Sequence, residues 1–229
     1  MAIDASATNL PAGDQRMSRA DMTRERLLDA AARLFAERGY TGTSIRAVTT
    51  AAGVSVSAAN YHFGSKRELL SAVCQRLIGP LNQERMRALD EVELRSGPPA
   101  QFLEDLLRAF LAPAVLQPPD RQLESRAVAA RLYADPPEIV AELKRDLFGP
   151  LRDRMTLLLG RALPAASSEQ LSLAFQFTVG VMVHVVGGHL ETGADSDAGY
   201  PRDEQLVEAL VSYCAAGIRA QALRHSEHG

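Results

Sequence analysis

Apolar positions recur three and four residues apart along nearly the whole chain, and no stretch alternates apolar and polar residues as a half-buried strand would. Leu27, Leu28, Ala31, Leu34 and Phe35 form one stripe of a first helix, with arginine and glutamate on the opposite face. Gly39 is placed to end it. Thr43 or Ser44 then caps a short second helix bearing Ile45, Val48 and Ala52, which Gly53 closes. Ser55 caps a third short helix ending near Phe63. Ser65, with Glu68 three residues on, reads as a capping box that opens a fourth helix through Leu69, Leu70, Val73 and Leu77.

Beyond Pro80, prolines punctuate the chain at 98–99, 118–119, 136–137, 164 and 201. Between them lie amphipathic segments at about 100–116, 121–134 and 137–162, then two strongly apolar helices at about 167–191 and 202–225. The stretch ETGADSDAGYPRD between the last two reads as a loop, and no internal repeat is evident. The pattern predicts an all-α protein. Residues 1–18 form a flexible tail, 19–66 a three-helix head, and a linking helix runs to about residue 80. Residues 81–229 form a larger helical body.

Composition adds three restrictions. At 46% apolar residues the chain has ample core, and with no tryptophan that core is mainly aliphatic. The first eighteen residues have neither a basic start nor an apolar run, so they read as a tail and not as a signal peptide. Cys74 and Cys214 lie far apart within helical patterns, which fits a reduced, cytoplasmic setting better than a disulfide framework. One run is long enough to span a bilayer: LSLAFQFTVGVMVHVVGGHL, residues 171–190, carries no formal charge. Ser172, Gln176, Thr178, His184 and His189 interrupt it, so it is read as a helix buried inside the protein or between subunits, with no membrane partner.

Catalysis is not suggested. The chain has no glycine-rich phosphate loop, no cluster with metal-ligand spacing and no Ser/His/Asp order. His184, His189 and Cys214 are the catalytic residue types in the body, but the two histidines are five residues apart and share no helix face. No enzyme activity, cofactor or metal is expected.

Charge is unevenly distributed. Residues 16–80 hold ten Lys or Arg against five Asp or Glu, whereas residues 81–229 hold fifteen against twenty-one. A basic head on an acidic body suits a polyanion partner for the head alone. The segment GVSVSAANYHFGSK, Gly53 to Lys66, gives that partner a shape. Two short helices joined by a tight turn make a helix-turn-helix, whose second helix enters the DNA major groove. The groove is about 12 Å wide and takes a helix only if its face is not bulky. Ser55, Val56, Ser57 and Ala58 meet that requirement, while Asn60, Tyr61, His62 and Lys66 follow with groups suited to phosphate oxygens.

These residues carry a family resemblance. TSIRAVTTAAGVSVSAANYHFGSKRELL resembles the helix-turn-helix of the tetracycline-repressor (TetR) type of bacterial transcriptional regulators, and the match covers about residues 23–78. The resemblance implies that Arg46 reaches a base or phosphate from the second helix. It implies that Ser55, Val56, Ser57 and Asn60 form the base-reading face, and that Thr43, Tyr61, His62 and Lys66 contact phosphates. Two positions depart from the family pattern. Thr49 stands where an alanine is usual at the close approach of the two helices, and Asn60 stands where tyrosine is common.

The resemblance further implies a homodimer built on the last two helices and a body that binds a small effector. The expected protein is a repressor released from an inverted-repeat operator in double-stranded DNA. RALPAASSEQLSLAFQFTVGVMVHVV is similar to subgroups that include fatty-acid-responsive regulators, although no ligand is carried over from that similarity. A mostly apolar effector pocket is expected among Phe102, Phe110, Leu132, Tyr133, Phe148, Met155, Phe175 and Met182.

Overall fold

The computed structural model describes residues 18–186, apart from 96, 118 and 136, together with residues 203–223. Among them every regular element is helical: α1 (Arg19–Gly42), α2 (Ile45–Ala52), α3 (Val56–Phe63), α4 (Lys66–Leu94), α5 (Pro99–Val115), α6 (Pro119–Ala134), α7 (Pro137–Ala162), α8 (Ser168–Val186) and α9 (Glu204–Leu223). The expected tail and the loop before Asp203 lie outside the described residues, as does His189.

Local chemistry sets the ends of the head helices. Ser18 and Asp21 form a capping box at the start of α1 that the apolar pattern does not announce. Gly39, at φ 68°, breaks α1 before its last turn, a conformation that costs an L-residue with a Cβ roughly 1–2 kcal/mol. Ser44, not Thr43, caps α2, its hydroxyl accepting from the Ala47 N–H at 3.1 Å. Ser55 and Ser65 cap α3 and α4 in the same way, each at 3.1 Å. Of the box expected at the start of α4, the Ser65 half is the one that forms.

The linking helix is longer than its proline suggests. α4 passes through Pro80 and continues to Leu94, so it serves both head and body. A proline within a helix removes one N–H donor, and burial of Ile78, Gly79 and Asn82 around it outweighs that loss. Pro113 and Pro150 likewise lie inside α5 and α7 rather than between elements.

Two apolar cores result, and their boundary does not follow the sequence division. One core joins α1, α2, α3 and the first half of α4 to Val128 and Leu132 of α6 and to Val140, Leu143 and Leu147 of α7. The other joins the second half of α4 to α5, the rest of α7, α8 and α9. Part of the body is thus built into the head's core.

Candidate DNA-binding face and effector cavity

The turn between α2 and α3 is held by Gly53 in the left-handed region at φ 62°. A Cβ there would lie 2.8 Å from the Arg26 guanidinium, which donates to the Gly53 carbonyl at 3.4 Å. The left-handed backbone is what favours glycine here, since the Arg26 guanidinium is the end of a flexible exposed side chain that can move aside. Val48, Thr49 and Ala52 of α2 and Ala59 and Phe63 of α3 face the core. Thr49 sits in the close approach of the helices, and its hydroxyl donates to the Arg46 carbonyl at 3.0 Å, so the added atoms cause no buried vacancy in hydrogen bonding.

The opposite face of this pair is open. Arg46, Ser55, Val56, Ser57 and Asn60 are all exposed, and Tyr61 is 84% exposed. An exposed tyrosine of that degree, on a helix whose other face is buried, has no packing role to explain it. His62 is half-buried, with its ring edge-on to Tyr61 at 5.3 Å. Lys66 is half-buried too, its ammonium 4.1 Å above the Tyr40 ring. Burial lowers the Lys66 pKa, and the nearby Asp135 carboxylate acts in the opposite sense.

Thr43 departs from its expected role. It is 1% exposed, and its hydroxyl donates to the Leu34 and Gly39 carbonyls at 3.0 and 2.9 Å. Those two hydrogen bonds commit the hydroxyl to closing the break at the end of α1. Arginines reinforce the head from within: Arg24 lies 5.5 Å over Phe63, and Arg76 bridges Glu25 at 3.1 Å and Asp29 at 2.7 Å.

In the body, a cavity of about 860 Å³ opens between α4, α5, α7 and α8, within the range of ligand pockets. Phe110, Phe148, Phe175 and Met182 line it, bringing together four of the residues expected there. Three others do not join them. Leu132 belongs to the head's core, Met155 is fully buried between helices, and Phe102 packs under Arg161, whose guanidinium is 5.2 Å from its ring. The side chain of Tyr133 lies outside the described part. The charged lining of the cavity, Arg85, Lys144, Arg145 and Arg152, was not anticipated. Lys144, Phe148 and Arg152 stand four residues apart, so they share a face of α7, and that spacing was available as a signal.

α8 satisfies a membrane helix's length and apolarity, yet it packs in the body through Leu171, Ala174, Phe175, Thr178 and Met182. Its outer face and that of α9 flank an uncharged hollow where Phe177 is 61% and Tyr213 70% exposed. Both cysteines are free and buried, and burial pushes Cys74 up to about 12 and raises Cys214. Among the described residues no group of three His, Cys, Asp or Glu side chains could hold a metal.

A helical head with two short capped helices, an open small-residue face and a cavity-bearing helical body is the architecture of a helix-turn-helix DNA-binding regulator. The comparisons agree. Residues 27–73 match the model of "Bacterial regulatory proteins, tetR family", and residues 108–217 match "Tetracyclin repressor-like, C-terminal domain". The chain belongs to the TetR family of transcriptional regulators.

Among its relatives, the HTH-type transcriptional repressor NicS of Pseudomonas putida is 32% identical over 96 residues, which cover 42% of this chain and 43% of NicS. The HTH-type transcriptional regulator YerO of Bacillus subtilis is 33% identical over 86 residues, covering 38% of this chain and 29% of YerO. The chain thus spans less than half the length of these relatives. The fatty acid degradation regulator FadR of Bacillus halodurans shares the fold, with a TM-score of 0.59 at 18% identity over 90% of this chain and 99% of that one.

Proposed function

We propose that this protein is a homodimeric, sequence-specific repressor in the cytoplasm, released from an inverted-repeat operator when a small, largely apolar effector enters the body. The observation that carries the reading is α3: a capped helix with Ala59 and Phe63 buried and Ser55, Val56, Ser57, Asn60 and Tyr61 turned outward. Its small N-terminal residues suit the major groove, and Arg46, Tyr61, His62 and Lys66 surround it with groups for phosphates or bases. Thr43 is left out of that set because its hydroxyl is committed to the chain.

Dimerisation is supported by the uncharged faces of α8 and α9. A hollow bearing Phe177 and Tyr213 in the open is filled when the same helices of a second copy cross it, and two-fold closure is the commonest assembly. Two heads then meet two half-sites about one helical turn apart. Release is supported by the position of the cavity, which borders α4, the helix that also carries the head. An effector regulates only if it prefers one spacing of the heads over the other.

The test is selection of binding sites from random duplex DNA by the full chain, followed by fluorescence anisotropy on the selected operator. A symmetric motif bound in the nanomolar range supports the reading. Binding without any sequence preference rejects it.

A further inference from the structure

We infer that Asn82 and Arg85 set the separation of half-sites that the dimer accepts, by fixing the direction in which α4 passes through Pro80. The inference rests on the reading of the protein as a two-headed operator-binding regulator. What carries it is a match between two proline sites. The pattern Leu-x-Gly-Pro-Leu stands at 77–81 in α4 and again at 147–151 in α7. In each, the glycine presents no Cβ for the proline ring to crowd, so the helix continues through a residue that commonly kinks it. A third proline, Pro113, stands inside α5.

Asn82 and Arg85 tie these three helices together at their proline turns. Asn82 donates from Nδ2 to the Leu147 carbonyl at 2.9 Å, and Arg85 donates from Nε to the Phe110 carbonyl at 2.9 Å. Leu147 and Phe110 each stand three residues before a proline, one on from the carbonyl that the proline leaves without its helical donor. Arg85 also donates from Nη1 to the Asn82 side-chain oxygen at 3.3 Å, and its Nη2 reaches the Met182 sulfur at 2.9 Å. Both residues are buried, whereas Pro80 is exposed. They lie about 200° and about 140° around α4 from Pro80, at about 100° per residue. The ties thus hold the inner side of a turn whose missing hydrogen bond, to the Arg76 carbonyl, lies on the outer side.

Pro80 also falls where α4 passes from one core to the other. Leu77 and Ile78 pack in the head's core, and Leu81 and Leu89 in the body's. From Lys66 to Pro80 the helix runs about 21 Å, at about 1.5 Å per residue. A change of about 10° at Pro80 therefore swings the start of α4 by about 4 Å. Two heads swinging oppositely change their separation by about 7 Å, which is about two base pairs at about 3.4 Å each.

The experiment measures, by fluorescence anisotropy, the affinity of the full chain for duplexes that carry the selected half-sites with the spacer kept or altered by one or two base pairs. The parent is expected to prefer one spacing at least tenfold. Asn82→Leu, which removes both hydrogen bonds at similar volume, is expected to reduce that preference below threefold while the half-site sequence stays the same. Pro80→Ala, at an exposed position, is expected to move the optimum by a base pair or more. Leu103→Ala is the control: it empties part of the body's core away from these ties, and should lower stability yet keep the parent's spacing. Retention of the parent's optimum by Pro80→Ala overturns the proposal, whether or not Asn82→Leu folds. So does an Asn82→Leu variant that keeps the parent's preference, or a Leu103→Ala variant that loses it. A parent with no preferred spacing rejects the two-headed reading itself, and this inference with it.

Discussion

The carboxylate of Asp135, one residue past the end of α6, accepts a hydrogen bond from the backbone N–H of Tyr40 at 3.1 Å. It does so where α1 breaks at Gly39, so a residue of the body satisfies a donor that the break exposes. One turn earlier on α6, Arg131 donates to the Ala36 carbonyl at 3.2 Å and the Glu37 carbonyl at 2.9 Å. Together the two side chains close both sides of the break. Asp135 also favours the charged forms of Lys66, at the start of α4, and of Lys144, in the cavity wall. A single carboxylate thus acts on the break in α1, on the lysine that opens α4 and on a lysine of α7.

Replacement of Asp135 tests that relationship. Asp135→Ala is expected to lower stability by about 1–2 kcal/mol, the cost of leaving a partly buried N–H without a charged acceptor. Denaturant midpoints should fall with an unchanged slope. The same variant should bind operator but respond at least threefold less to an effector, because the head is no longer tied to α6. An unaltered effector response would show that α4 alone carries the coupling.

Asn60→Ala addresses specificity. Asn60 is exposed on α3, and a side-chain amide pairs with adenine N6 and N7 for about 1–3 kcal/mol of discrimination. Binding-site selection with the variant should lose base preference at one symmetric pair of positions and keep the rest of the motif. A uniform loss of affinity with the motif intact would assign Asn60 to the phosphates.

The head was legible in the sequence because its signals are local. Serines at helix starts, glycines at positive φ and a three-to-four spacing act within a few residues, and Ser44, Ser55, Ser65, Gly39 and Gly53 do what their positions suggest. The open face of α3 followed from the same pattern. What was hidden is tertiary. Pro80 reads as a break, yet burial of its neighbours carries α4 through it. Leu132 reads as body, yet α6 folds back on α1 and places it in the head's core. Thr43 reads as a helix cap or, by resemblance, a phosphate contact, and only the chain path from Leu34 to Gly39 shows where its hydroxyl goes. Arg85 on α4 is 59 or more positions from the cavity's cations on α7 and joins them through packing alone.

Salt dependence separates two roles for Lys66. Each phosphate neutralised by a cation contributes about 0.9 to the slope of log affinity against log salt. Lys66→Ala should therefore flatten the slope by about 0.9 per head and weaken all DNA sequences alike. Should the ammonium stay on the Tyr40 ring in the complex, affinity will fall with no change in slope, and the lysine will count as a support for α1.

Alkaline stability should carry the mark of Cys74. Its thiol is fully buried and titrates near 12, well above the value of about 8.5 for a thiol in the unfolded chain. Above pH ~9 the unfolded state loses this proton while the folded state keeps it. Stability is therefore complete below that pH and declines as pH rises toward 12, by up to about 1.4 kcal/mol per unit from this group. Cys74→Ala, though less stable at pH 7, should show a shallower alkaline decline in denaturant midpoints between pH 9 and 11. A parallel decline would mean that other groups govern that range.

The proposed dimer rests on a face that no part of this chain covers among the described residues. Phe177 on α8 and Tyr213 on α9 stand in the open beside a hollow lined by Gly180, Ala216 and Gly217, small residues that let another backbone approach closely. Since Phe177 contributes little to its own chain's core, Phe177→Glu should leave helicity and the thermal midpoint of the monomer's fold near those of the parent. In the dimer, however, two-fold symmetry places each substituted face against the other copy, burying a carboxylate without a partner twice over. The variant should sediment as a monomer at micromolar concentration where the parent sediments as a dimer. Operator affinity should then fall by two orders of magnitude or more, because the second head no longer benefits from its tether to the first. A monomeric variant that kept full operator affinity would separate DNA binding from assembly, and a dimeric one would move the interface away from α8 and α9.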